Sequence, residues 1–161
     1  MSVTPTGVLS LPLYNMQTLI CNSATFRTWV GAATVAAARD RCYLVAQDET
    51  SITRPFAVVE FGGGFTYSKE AEPSIYLGSG SLVVWFEDAV ASGVQANHAD
   101  AMFTFTNTVG AILTEMLDLS GTSGYINIRT IRDDAAGPLR ANIDETTDII
   151  QLPFRVDWNP L

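Results

Sequence analysis

The stretch NHADAMFTFTNTVGAILTEMLDL, Asn97 to Leu119, decides how this chain folds. Its apolar residues Met102, Phe105, Val109, Ile112, Met116 and Leu119 follow one another at intervals of 3, 4, 3, 4 and 3 positions. That is the period of a helix with one buried face. Leu113 and Leu117 widen the stripe, and Thr104, Asn107, Thr108, Ala111, Glu115 and Asp118 make up a solvent-like opposite face. Asn97 followed by Asp100 resembles a capping box. Gly110 interrupts the pattern at a cost of about 1 kcal/mol relative to Ala, which points to close approach to a sheet. His98 falls in the first turn and reads as a surface residue.

Beyond the helix the period changes from 3.6 to 2. Gly121 and Gly124 end the helix, and Tyr125 to Ile131 alternates, with Ile126 and Ile128 on one face. The last strand sets Ile150, Leu152, Phe154, Val156 and Trp158 against Gln151, Pro153, Arg155 and Asp157. Pro153 has no N–H for a ladder, so this strand is expected at an edge or bulged. Between the two strands, Asp133 to Asp148 holds Gly137-Pro138 and five acids and reads as a protruding loop, a natural contact arm.

Upstream, Met1 to Pro12 reads as an extended, uncharged arm. Leu13, Met16 and Ile20 then recur at helical spacing, and Ser23 caps a second short helix carrying Phe26, Trp29 and Val30 before Gly31 closes it. Ala32 to Arg41 is expected to form a third helix leading into a strand at Cys42 to Ala46. Arg54 to Phe61 alternates as the next strand, and Gly62-Gly63-Gly64 after it reads as a mobile loop or a bulge. The run lacks the Lys-Ser/Thr ending of a phosphate-cradling loop. Ser74 to Leu77 and Ser81 to Phe86 flank Gly78-Ser79-Gly80, either a hairpin turn or a kink in one long strand. Both faces of that strand are apolar, so one is expected under the long helix and the other against a neighbouring subunit. The fold class is therefore α+β: an antiparallel or mixed sheet of about four to five strands, with the long helix and the short N-terminal helices on one face.

At 161 residues this is one domain, with enough chain for a real core. Charged residues are only 16% of the chain, against roughly 25% in an ordinary soluble domain. A charge-poor surface suits extensive protein contacts, because interface cores are depleted in charge. The net charge is −8, Lys69 is the only lysine, and nine cations are scattered among seventeen acids, which argues against tight binding to nucleic acid. Cys21 and Cys42 stand far apart with His98 as the only histidine, too few ligands for a structural zinc site. No cation precedes Arg27 and the apolar run from Val8 to Leu13 is broken by Pro12, so no secretory leader is expected. The cysteines are then expected to be free, packed thiols in a reducing cytoplasm. No segment approaches the roughly 20 apolar residues of a membrane-spanning helix.

No catalytic pattern emerges. A lone His98 lacks any Gly-x-Ser-x-Gly elbow, and the acid pairs Glu87-Asp88, Asp133-Asp134 and Asp144-Glu145 read as solvated. No enzyme, cofactor or metal is expected.

Taken together, Arg54-Pro55-Phe56-Ala57-Val58-Val59-Glu60, the glycine-rich strand from Ser74 to Asp88, the helix containing Asn107 to Leu119 and the closing Phe154-Arg155-Val156-Asp157-Trp158 resemble the tail terminator, or tail completion, proteins of long-tailed, non-contractile bacteriophages. The resemblance runs from about Tyr14 onward and lies in element order and texture. It implies a structural virion protein, assembled in the host cytoplasm as a sixfold ring at the head-proximal end of the tail. Its partners would be further copies of itself, the major tail tube protein and the head connector or stopper protein. DNA would pass through the ring, and an acidic lumen would favour its transit over adhesion. A head-side stopper ring is the neighbouring alternative, and a small cytoplasmic ligand-binding protein or enzyme the alternative of another class. On the ring reading, Asp133, Asp134, Leu139, Arg140, Asp144, Glu145, Pro153, Arg155 and Asp157 are the candidate subunit or tube contacts.

Overall fold

Helices collect on one face of a sheet whose middle strands are the longest. The computed structural model describes residues 7, 9–44, 52–69, 76–89, 95–122, 126–131, 139–144 and 147–158. In chain order the elements are α1 (Ser10–Asn22), α2 (Ala24–Trp29), α3 (Val35–Arg39), β1 (Cys42–Tyr43), β2 (Phe56–Lys69), β3 (Tyr76–Ala89), α4 (Gln95–Leu119), β4 (Asn127–Ile131), β5 (Leu139–Asp144) and β6 (Thr147–Trp158). The sheet runs β1-β2-β3-β6-β4, with β5 also paired to β6. β1 lies parallel to β2 and every other pairing is antiparallel, so the sheet is mixed.

Local chemistry accounts for the N-terminal helices. Pro12 falls in the first turn of α1, where its missing N–H has no intrahelical acceptor to lose. The extended arm expected through Pro12 thus gives way to helix at Ser10. The buried Ser23 is in extended conformation between α1 and α2, and its hydroxyl accepts the Phe26 N–H at 2.9 Å. Thr34 caps α3 in the same way, accepting the Ala37 N–H at 3.1 Å. Each cap satisfies a donor that the first helical turn leaves open.

Met16, Leu19 and Ile20 of α1, Phe26 of α2, and Phe105, Val109, Ile112 and Met116 of α4 are buried against one sheet face. That face is built from Ala57, Val59, Leu82, Val84, Phe86, Ile150, Leu152, Phe154, Val156 and Trp158. The alternation expected from sequence therefore holds on β2, β3 and β6. α4 starts at Gln95, two residues before the expected cap, which places Asn97 inside the helix. Leu113 packs at the margin of the core, but Leu117 is turned outward. A β-carbon on Gly110 would meet nothing within 4 Å, so this glycine does not mark close approach to the sheet.

At both glycine runs the structure selects the strand alternative, and one expected loop is strand instead. Gly62-Gly63-Gly64 lies inside β2, where the register with β3 shifts between Phe61, Gly63 and Thr66; the run is a bulge, not a connection. Gly63 and Gly64 hold φ of +90° and +64°, which only glycine adopts cheaply. Gly78-Ser79-Gly80 lies within β3 and pairs with β6 through Gly78↔Trp158, Ser79↔Asp157 and Gly80↔Val156. Residues 139–144, expected within a protruding loop, form β5 and pair along β6 from Leu139↔Gln151 to Asp144↔Thr147. This raises the expected four or five strands to six.

Nor is β6 an edge. It lies between β3 on one side and β4 with β5 on the other. Pro153 faces Val83 of β3; on its other side it falls in the gap between the β5 ladder, which reaches Gln151, and the β4 ladder, which begins at Phe154. A residue without an N–H is thus accommodated in an interior strand at the seam between two flanking strands.

Candidate subunit interface

Among the described residues two surfaces outside the core stand out, and they face opposite ways. The first is the outer side of α4. This 25-residue helix contains no Lys or Arg, and its acids are Asp100, Glu115 and Asp118. A solvated helix face ordinarily carries many more charges of both signs. Glu115 is not solvent-facing, as the sequence pattern had it: its carboxylate accepts the Thr25 backbone N–H at 3.2 Å and the Thr25 hydroxyl at 2.5 Å. The threonine hydroxyls fold back onto the helix backbone. The hydroxyls of Thr104, Thr106, Thr108 and Thr114 donate to the carbonyls of Asp100, Met102, Thr104 and Gly110 at 2.8, 2.8, 2.8 and 3.1 Å. Their donors are spent within the helix, so the side chains offer mainly methyl groups outward. Phe103 at 65% and Leu117 at 46% exposure stand on this face, seven positions to either side of Gly110. The result is an outward surface of Phe, Thr methyl, Gly, Ala and Leu around Asn107, with one carboxylate near each end.

The second surface is the sheet face turned away from the helices. β3 contributes Val83 and Trp85, half-buried, and β6 contributes Gln151 and Pro153, half-buried, with Arg155 exposed. The register puts Pro153 beside Val83, Arg155 beside Ser81 and Asp157 beside Ser79. Phe56 and Val58 of β2 are buried on this side, where Tyr43 meets Phe56 edge-on with ring centroids 5.7 Å apart. At the end of this face the Arg54 guanidinium pairs with the buried Glu87 carboxylate at 2.6 Å.

Of the candidate contact residues, the structure brings Pro153, Arg155 and Asp157 together on this second face. Leu139, Arg140 and Asp144 are placed by backbone register on β5, opposite Gln151, Ile150 and Thr147. Asp133, Asp134 and Glu145 lie outside the described residues. The sequence pattern passed over Phe103 and counted Leu117 in the buried stripe; the signal that could have found this surface is the absence of any cation along α4.

Between α2, β3 and α4 the surface dips into open depressions of about 260 and 330 Å3 that share Trp29 and Thr108. Trp29 closes their floor: its ring packs against Phe26, Phe86 and Phe105, and its indole N–H donates to Asp88 at 3.0 Å. Among the described residues the polar side chains that line the depressions are Asp88, engaged by the indole, and Thr25, Thr28, Thr104 and Thr108. No group of three or more His, Cys, Asp or Glu side chains is arranged around a common point among the described residues. Among the described residues no helix is long and apolar enough to cross a membrane.

The fold and these surfaces define an α+β domain with a charge-poor exterior on its helix side and an outer sheet face that mixes Val83, Trp85 and Pro153 with Arg155 and Asp157. In comparison with known proteins, the chain matches no family model and no curated protein.

Proposed function

We propose that this chain is a structural subunit of a long-tailed bacteriophage, of the tail terminator type. In this reading copies of the chain close into a ring on the end of the tail tube, stop its elongation and present the opposite surface to the head connector. The observation that carries the reading is the outer face of α4, where Phe103 and Leu117 are exposed on a helix without a single cation. A ring requires two different contact surfaces on each subunit, because its interfaces are head-to-tail. The α4 exterior and the Val83-Trp85-Pro153 face supply two such surfaces on opposite sides of one sheet. The net charge of −8 fits passage of DNA through the ring without adhesion.

The test is the tail-length distribution, by electron microscopy, in lysates of a phage carrying a nonsense mutation in this gene. Overlong tubes beside unattached heads are expected. Tails of normal length that fail to join heads would move the protein to the head-side stopper ring, and unaltered particles would leave the depressions around Trp29, and with them a ligand-binding role, as the better reading.

A further inference from the structure

Two cysteines that stand 21 positions apart in sequence lie in one buried cluster of the core. Cys21 is in the last turn of α1 and Cys42 opens β1; both are free thiols, 0% and 1% exposed. Gln17, one turn before Cys21 on the same side of α1, donates its amide N–H to the Cys42 carbonyl at 2.5 Å and so holds β1 against the helix. That bond, and the packing of both cysteines in one buried cluster, bring the two thiols to the same α1–β1 contact. Around them the charge is positive. Arg27 donates to the Cys21 carbonyl at 3.3 Å, and Arg39 donates to Gln17 Oε1 at 3.1 Å, to Thr18 at 2.9 Å and to the Tyr14 hydroxyl at 3.2 Å.

We propose that Cys21 and Cys42 are a redox modification site, forming a disulfide between α1 and β1 by exchange with a low-molecular-weight disulfide such as oxidised glutathione. The environment assigns the two thiols different parts. The hydrogen bond from Cys42 holds the Cys21 thiol below its ordinary value, against the opposing effect of burial and with help from Arg39 and Arg27. Burial pushes the Cys42 thiol well up, and its hydrogen bond to Cys21 adds to that. Cys21 is therefore the attacking thiolate. It bonds to one sulfur of oxidised glutathione, the glutathione S–S bond breaks, and one glutathione thiolate leaves. Cys42 then gives up its proton and attacks the Cys21 sulfur of the mixed disulfide, which expels the second glutathione. Two protein thiols are oxidised and one glutathione disulfide is reduced to two thiols.

Since both sulfurs are buried, exchange requires a local opening that admits the small disulfide. The same burial shields the closed bond from reductants. It would tie α1 to the sheet and enclose α2 and α3 in a loop of about 20 residues, which constrains the unfolded chain. In a protein assembled in a reducing cytoplasm and exported on a particle, the pair would stay open during assembly and close after release. That timing rests on the proposed function; the thiol chemistry does not.

The experiment uses the full, reduced chain, equilibrated with millimolar oxidised glutathione in dilute urea that permits local opening. The products are alkylated after denaturation and mapped without reduction. The expected result is loss of both alkylatable thiols, a mass lower by two hydrogens, a Cys21–Cys42 cross-linked peptide, and a Tm higher by roughly 6–12 °C. The Cys42→Ser variant should stop at a stable glutathione adduct on Cys21. Two alkylatable thiols at equilibrium in the wild-type chain, or a persistent glutathione adduct in place of the internal bond, would overturn the proposal whether or not the variant folds.

Discussion

The indole of Trp158 lies against Gly78, its partner across the β3–β6 ladder, so closely that a β-carbon on Gly78 would fall among the atoms of the ring. A large aromatic on one strand is seated by an empty position directly opposite, and it covers the backbone that the glycine leaves bare. Gly78→Ala should therefore destabilise the domain by about 1–3 kcal/mol through overpacking, and Gly78→Val by more. Urea denaturation followed by tryptophan fluorescence reads the change. A variant as stable as the parent would mean that the indole has another seat.

Glu115 links α4 to the start of α2 and carries a pH signature. Burial alone would raise its carboxyl, but the hydroxyls of Thr25 and Ser23 and the backbone N–H groups of Thr25 and Ala24 outweigh it and hold the group below its ordinary 4.5. A carboxyl depressed in the folded state stabilises the fold above its unfolded value and loses that contribution as pH falls through the folded one. The urea midpoint should thus drop as pH is lowered from about 5, more in the parent than in Glu115→Gln. Thr25→Ala should cost about 1–2 kcal/mol at neutral pH. Identical pH profiles for parent and Glu115→Gln would refute the assignment.

Gly110→Ala separates folding from assembly. The glycine is helical, exposed and has open space where a β-carbon would go, so alanine should stabilise the free subunit by about 0.5–1 kcal/mol. If a neighbour packs on this face, the added methyl should weaken ring formation while Tm rises. Thermal melts and light scattering on the same sample make the comparison, and a rise in Tm with intact assembly would place the contact elsewhere on the subunit.

Charge placed on the two exteriors tests them directly. Phe103→Glu with Leu117→Glu should change subunit stability by no more than about 0.5 kcal/mol, as for ordinary surface positions. Ring formation and tail capping should nonetheless be lost. Arg155→Glu is expected to behave in the same way from the other face, with Pro153 and Asp157 beside it. Wild-type tails from both variants would remove these surfaces from the interface.

Much of this architecture was legible from short-range pattern. The 3-4-3 spacing from Met102 to Leu119 can only bury its apolar residues as one face of a helix, and Ser23 could be recognised as a cap because its bond to Phe26 spans three residues. The glycine runs left two readings open each, because glycine permits a turn, a bulge or a seat for a ring equally well. At 62–64 the neighbouring strand made it a bulge; at 78 Trp158, eighty positions later, made it a seat. Residues 139–144 read as loop because their polarity is typical of loops, whereas pairing along β6 satisfies their backbone. Of the interface, the shortage of charge was visible, but its location was not.

By itself, then, the sequence determined the kinds of element, their order, the buried stripe of α4 and an acidic, charge-poor exterior, since each depends on residues within a few positions of one another. Only the tertiary structure decided that β6 is interior and divides its outer edge between β4 and β5. It alone brought Glu115 to Thr25, Trp158 to Gly78 and Cys21 to Cys42. Contacts between distant segments are selected by the packing of the whole core, and no local period carries that information.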